Sequence, residues 1–124
     1  PKRLPETRWQ AVDVICCAAP NLRERPYNKM NPGQGKAIHV TLEELLGLHR
    51  RRAYKILSVA AANNVECLVL GAFGCGAFRN DPNIVARAYR DIFPEFDGYF
   101  REIRFAVYCP PHDRTNFDVF RKML

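Results

Sequence analysis

The sequence predicts an α/β fold built on an incomplete, mainly parallel sheet in the order β-α-β-α-β-α. Three observations lead there. Residues 65–70 are nearly continuous apolar sequence, as a strand covered on both faces requires, and they break into a glycine-rich loop, Gly71-Ala72-Phe73-Gly74-Cys75-Gly76. Apolar residues at 42, 45, 46, 53, 56, 57 and 60 repeat with a helical period upstream of it, and Ile84, Val85, Ala88 and Ile92 do so downstream. Ile103, Phe105 and Val107 then alternate as a further strand. Strands separated by helices imply parallel pairing through right-handed crossovers.

The elements follow in order. Residues 1–8 are polar with two prolines and carry no periodic pattern. Residues 9–19 contain Val12, Val14, Ile15, Cys16, Cys17 and Ala18, a second buried-strand candidate that stops at Pro20-Asn21, where a loop begins. That loop runs to about Val40 and is rich in Pro, Gly and Asn; loops of this length tend to be functional or disordered. Gly33-Gln34-Gly35-Lys36 within it has a phosphate-loop flavour but no strand before it. Thr41-Leu42-Glu43-Glu44 is a capping box. It opens a helix expected to reach about Asn63 with Arg50-Arg51-Arg52 turned mostly outward. Asn80 or Asp81 can cap the second helix, Pro82 suits its first turn, and Pro94 ends it. Residues 99–109 read as the third strand. Residues 115–124 read as a short helix that sets Phe117, Phe120 and Leu124 on the core.

Composition bounds the function. The 124 residues suffice for one domain with a core. No stretch is long and apolar enough to span a membrane and no signal peptide opens the chain, so an intracellular protein is expected, cytoplasmic or, in a eukaryote, nuclear. The chain begins with Pro1 rather than Met, which suits a processed product or a piece of something longer. The five cysteines (Cys16, Cys17, Cys67, Cys75, Cys109) form no C-x-x-C pair, and buried reduced thiols are expected. Cys109-Pro110-Pro111-His112 has C-x-x-H spacing without a second ligand pair, so no metal and no cofactor is expected. The net charge of +6 lies in residues 1–62, which hold eleven Lys/Arg against five Asp/Glu. Such a surplus suits polyanions, nucleic acid included, or simply a solvated helix face.

The glycine loop is where ligand chemistry is concentrated. Glycines at 71, 74 and 76 let the backbone take positive φ and bring its amides close to a ligand. A strand ending in bare amides beside a helix N-terminus is an anion site, most often for phosphate. A Walker loop is excluded, because Ala77 and Phe78 follow the last glycine where Lys and Ser/Thr would stand. The dinucleotide fingerprint is excluded as well, since the glycines run G-x-x-G-x-G. Phe78 can lie against a sugar or base, so a diphosphate with an adjoining ribose fits. In open parallel sheets ligands sit beyond the carboxyl ends of the strands, so this loop and the Pro20–Asn21 loop are expected to meet at one cleft.

The run from Leu68 to Phe78, with Asn80-Asp81-Pro82 and with Val14-Ile15 through Ala18-Ala19-Pro20-Asn21, resembles the microbial-type poly(ADP-ribose) glycohydrolases of the macrodomain superfamily. The resemblance covers nearly the whole chain. It implies a three-layer α/β/α sandwich, of which residues 1–124 form the C-terminal portion and the N-terminal portion is absent. It implies ADP-ribose or poly(ADP-ribose) as ligand. Gly74, Cys75, Gly76 and Ala77 would hold the diphosphate through backbone amides, with Gly71 and Phe73 in the same ligand site; Phe78 would pack on the distal ribose, and Asn21 would lie near the same cleft. The family's glycine run followed by Gln-Glu-Glu does not occur here; the only adjacent glutamates, Glu43-Glu44, belong to the helix cap. The resemblance therefore implies binding without hydrolysis by this chain alone, and partnership with a complementary N-terminal half or a second copy. Three other readings stand beside it: a non-catalytic ADP-ribose or nucleotide-diphosphate module, a cysteine hydrolase using Cys75 with His39, His49 or His112 as base, and nucleic-acid binding through the basic half.

Overall fold

The computed structural model describes residues 3–24 and 39–124. The Gly33–Lys36 motif and most of the loop before Val40 lie outside them. The described elements are α1 (Leu42–Ala62), β1 (Cys67–Leu70), α2 (Pro82–Ile92), β2 (Glu102–Phe105) and α3 (Thr115–Met123), with 3-10 turns at Glu6–Arg8 and Phe93–Phe96.

Helix starts are set by the local chemistry expected of them. Thr41 Oγ1 accepts from the Glu44 amide at 3.2 Å, and Glu44 Oε2 accepts from the Thr41 amide at 2.8 Å, closing the capping box. The Thr41 amide and hydroxyl, both donating to Glu44 Oε2, hold the Glu44 carboxyl below its usual range. At α2 the cap is Asp81, whose Oδ1 accepts from the Asn83 amide at 2.8 Å, with Pro82 in the first turn. Asn80 is thereby freed for other work. The end of α2 tightens into the 3-10 turn containing Pro94, where a proline removes a helical donor.

β1 and β2 pair in parallel, Cys67 opposite Glu102 through Leu70 opposite Phe105, and form a two-stranded sheet. The alternation of strand side chains decides which face is covered. Leu68, Leu70, Ile103 and Phe105 pack with Ile56 and Leu57 of α1, Val85 and Tyr89 of α2 and Phe120 of α3 in one core. Tyr89, Phe105 and Phe120 stand in a file of ring contacts, 5.3 Å and 5.4 Å between centroids. The two longer helices are tied at the surface by Arg50, whose Nε donates to Asp91 Oδ2 at 2.9 Å. The architecture is that of an incomplete α/β macrodomain-like fold, with one helical layer against a parallel sheet.

Several expectations are corrected. Residues 9–19 form no strand. They form no ladder, and Val12 and Val14 are 77% and 76% exposed. A strand is a pairing and not a propensity, and no described segment hydrogen-bonds alongside these β-branched residues. β1 is covered on one face only, with Cys67 exposed and Val69 68% exposed. Cys16, Cys17 and Cys67 are consequently exposed, and Cys75 and Cys109 only half-buried, although all five are free thiols. In α3 Phe120 is buried, whereas Leu124 is exposed and Phe117 lies half-buried under the Arg114 guanidinium. Leu42, at the start of α1, is exposed as well.

Candidate functional site

The site forms where β1 ends. Gly71 leaves the strand beside the backbone of residue 106: a Cβ there would lie 3.6 Å from the Ala106 carbonyl, and the Ala106 amide donates to the Leu70 carbonyl at 2.7 Å. The chain then turns through Ala72, whose carbonyl accepts from the Cys75 amide at 3.0 Å. Gly74 has φ +78°, the left-handed region that glycine enters without strain. A Cβ at this position would come within 2.6 Å of Asn80 Nδ2 and 2.7 Å of the Ala19 Cβ. Both backbone sign and space therefore demand glycine. Gly76 is different: it is exposed, a Cβ would meet nothing within 4 Å, and its carbonyl accepts from the Arg79 amide at 3.0 Å.

Asn80 joins the two loops. Its Nδ2 donates to the Pro20 carbonyl at 2.8 Å and the Gly74 carbonyl at 3.0 Å, and its amide also donates to Gly74 at 3.0 Å. Its Oδ1 is 2.9 Å from His49 Nε2. Since Nδ2 donates to two carbonyls, Oδ1 must accept, which puts the proton of His49 on Nε2. The Leu22 amide adds a second tie, donating to the Phe78 carbonyl at 3.0 Å. The glycine loop and the Pro20–Asn21 loop thus meet at the carboxyl end of β1, as the topology predicts.

The residues singled out from sequence fall in three positions. Gly74, Cys75 and Phe73 are half-buried on the inner side, with Phe73 edge-on to the His49 ring at 6.0 Å. Gly76 and Ala77 are exposed on the outer side, and Phe78 is half-buried with the Arg23 guanidinium 5.6 Å from its ring centroid. Asn21 holds Arg23: its Oδ1 accepts from Arg23 Nε at 3.0 Å. Among the described residues, the amides of Gly74, Gly76, Ala77 and Phe78 donate to no protein acceptor. The Cys75 amide is committed to its turn. The N-terminus of α2 is occupied by the Asp81 cap, so bare donors belong to the loop and not to the helix end. Asn80 and Arg23 were not singled out as site residues by sequence reading, and His49 entered there only as a candidate base for Cys75. The buried histidine sits in register with the apolar face of α1, the one signal that could have found it.

The electrostatics oppose thiol catalysis at Cys75. Burial, with Asp81 adding to it, pushes the Cys75 thiol up to about 12, the opposite of an activated nucleophile. His49 is engaged with Asn80, and His39 and His112 are exposed. No group of three or more His, Cys, Asp or Glu side chains converges as a metal site among the described residues.

No family model matches the chain, and no curated protein does. Solved structures do. The poly(ADP-ribose) glycohydrolase of Deinococcus radiodurans in complex with ADP-ribose is 40% identical with a TM-score of 0.62, over 65% of this chain and 33% of that one. This is part of a microbial poly(ADP-ribose) glycohydrolase fold. The poly(ADP-ribose) glycohydrolase of Thermomonospora curvata bound to the inhibitor ADP-HPD is 34% identical with a TM-score of 0.65, over 68% of this chain and 33% of that one. The Deinococcus glycohydrolase in apo form gives 40% and 0.61. The chain spans about a third of the length of the glycohydrolases it matches.

Proposed function

We propose that this chain is the diphosphate-binding portion of an ADP-ribosyl glycohydrolase and does not hydrolyse its ligand alone. The observation that carries the reading is the row of uncommitted amides at Gly74, Gly76, Ala77 and Phe78, set at the carboxyl end of a parallel strand. Successive bare N–H groups in a glycine loop make an anion-binding concavity. Phe78 supplies an apolar face next to it for a ribose, and Arg23 a cation, with Asn21 orienting the guanidinium. Neighbouring structures of the same fold hold ADP-ribose, which fits a diphosphate flanked by two sugars.

Chemistry at the glycosidic bond needs a carboxylic acid to protonate the leaving group. Of the two adjacent glutamates, Glu44 is consumed in the α1 cap and Glu43 is solvated in the same turn. The role left to this chain is positioning: fixing the diphosphate fixes the ribose relative to an acid supplied from elsewhere. The complement is a polypeptide carrying that acid. A non-catalytic ADP-ribose module shares the same cradle and is separated from the first reading by whether such a complement restores hydrolysis.

The test is titration of ADP-ribose into the chain followed by backbone amide resonances. The reading expects the largest shifts at Gly74, Gly76, Ala77 and Phe78, with AMP producing smaller ones. Shifts confined to the Arg50–Arg52 face would contradict it.

A further inference from the structure

The outer face of the helical layer carries charge that the fold does not use. α1 and α2 turn their apolar sides to one core. Arg51, Tyr54 and Lys55 of α1 and Arg87 and Arg90 of α2 are exposed on the side away from it. Arg50 lies in the seam between the helices: its Nε donates to Asp91 Oδ2 at 2.9 Å, and Arg87 Nε is 3.8 Å from the same oxygen. One carboxylate shared by two guanidinium groups leaves a positive charge there. Among the described residues, Arg51, Lys55 and Arg90 make no ion pair. Tyr54 stands among these cations. It is 47% exposed, and its ring meets the buried Phe96 edge-on with 5.5 Å between centroids, a contact that steadies it while much of it faces water.

We propose that the outer face of α1 and α2 binds single-stranded nucleic acid, with its cations on successive phosphates and Tyr54 stacked on an unpaired base. The proposal is independent of the diphosphate reading, whose site lies at the carboxyl end of β1. Side chains three and four apart on a helix are neighbours, about 5–6 Å between Cβ atoms. Arg51 with Lys55, and Arg87 with Arg90, therefore form two pairs of cations at close to the spacing of adjacent phosphates along an extended strand. Exposed cations without partners gain from phosphates through release of the counterions those phosphates hold. The ion pairs at Asp91 oppose this little, because exposed pairs contribute about 0–1 kcal/mol. The net charge of +6 draws any polyanion toward the chain, and Tyr54 selects among them. A ring set among cations suits a single strand, whose bases are free to stack, whereas a duplex hides its bases. A polymer of ADP-ribose pairs its charges on each diphosphate and separates the pairs by sugars, so it matches the two rows less evenly.

The probe is a fluorescein-labelled oligodeoxythymidylate of about twelve nucleotides, titrated with the full 124-residue chain and read by anisotropy. Contact with about four phosphates predicts an affinity that falls about fiftyfold between about 50 and 200 mM salt, since each contact adds roughly 0.7 to the log–log slope. Arg51→Gln combined with Lys55→Gln should weaken binding roughly tenfold or more and reduce that slope by about 1.4. The same variant should leave ADP-ribose affinity and the urea midpoint unchanged. Tyr54→Leu, which keeps apolar packing on Phe96, should weaken binding about fivefold or more through the lost stack. No binding at the lower salt, or an affinity untouched by the Arg51 and Lys55 changes or by Tyr54→Leu, would overturn the proposal. Equal binding of the matching duplex, stronger binding of poly(ADP-ribose) or polyglutamate at equal charge, or amide shifts centred on Arg121 and Lys122 of α3 would do so as well. Oligonucleotide binding by a chain that ignores ADP-ribose would refute the diphosphate reading and leave this surface standing; the converse would do the opposite.

Discussion

His49 donates from Nε2 to Asn80 Oδ1 over 2.9 Å, and both side chains are 2% exposed. Through this bond α1 reaches the two loops of the site, because the same Asn80 amide holds Pro20 and Gly74. Burial keeps the imidazole below its ordinary value of 6.5; the Asn80 bond opposes that shift and Arg52 assists it. The sign of the pH effect follows. In the unfolded chain His49 protonates near 6.5, in the folded chain only at lower pH. Its contribution is therefore fully present above pH 6.5 and is lost as the pH falls toward the folded value. Urea unfolding across this window should show stability falling in the wild type, and a flatter profile in His49→Gln. Equal slopes in the two proteins would contradict the assignment.

Asn80→Ala removes the partner of a buried histidine and two carbonyl contacts at once. Unsatisfied buried groups of this kind cost about 1–3 kcal/mol each, partly recovered by water in the site. A loss of roughly 3 kcal/mol in urea unfolding is expected, with the Leu22–Phe78 tie loosened in amide exchange. A change below about 1 kcal/mol would mean the linkage is dispensable.

Gly74 and Gly76 should respond oppositely to alanine. At Gly74 the left-handed φ and the contacts at 2.6 Å and 2.7 Å both oppose a Cβ, so Gly74→Ala should cost on the order of 1–3 kcal/mol. At Gly76 there is open space, and Gly76→Ala should stay within about 0.5 kcal/mol of wild type. Thermal melts of the pair check the contrast directly.

The thiols should fall into two reactivity classes. Cys16, Cys17 and Cys67 are exposed, whereas Cys75 is half-buried with its thiol pushed up to about 12. Iodoacetamide at pH 8 should label the exposed three first, read by peptide mapping, and Cys75 should label at the exposed rate only after unfolding. Early labelling of Cys75 would reopen nucleophilic roles for it.

Local signals were legible in the sequence, and partnered features were not. The Thr41–Glu44 cap, the Asp81-Pro82 start and the β1-to-loop transition depend on residues a few positions apart, and all appear as read. The convergence of the two loops followed from topology. Residues 9–19 were misread because their apolar, β-branched composition reports a preference for extended backbone, while strand formation depends on a neighbour elsewhere. The same reason made β1 look buried on both faces. Asn80 was read as a cap candidate, since its contacts to His49 and Pro20, 31 and 60 residues away, leave no local pattern. Arg23 escaped because its value lies in a ring and a side chain near it, Phe78 and Asn21.

The central claim is that the loop from Gly74 to Phe78 grips a diphosphate, and Gly76→Glu examines it most directly. Open space around Gly76 lets the glutamate enter without disturbing the fold, and it sets a negative charge among the bare amides. Calorimetric titration of ADP-ribose should show binding by the wild type and a loss of about tenfold or more, near 1.4 kcal/mol, in Gly76→Glu, with both proteins folded by circular dichroism. Equal affinity in the two, or no binding by the folded wild type, would contradict the account.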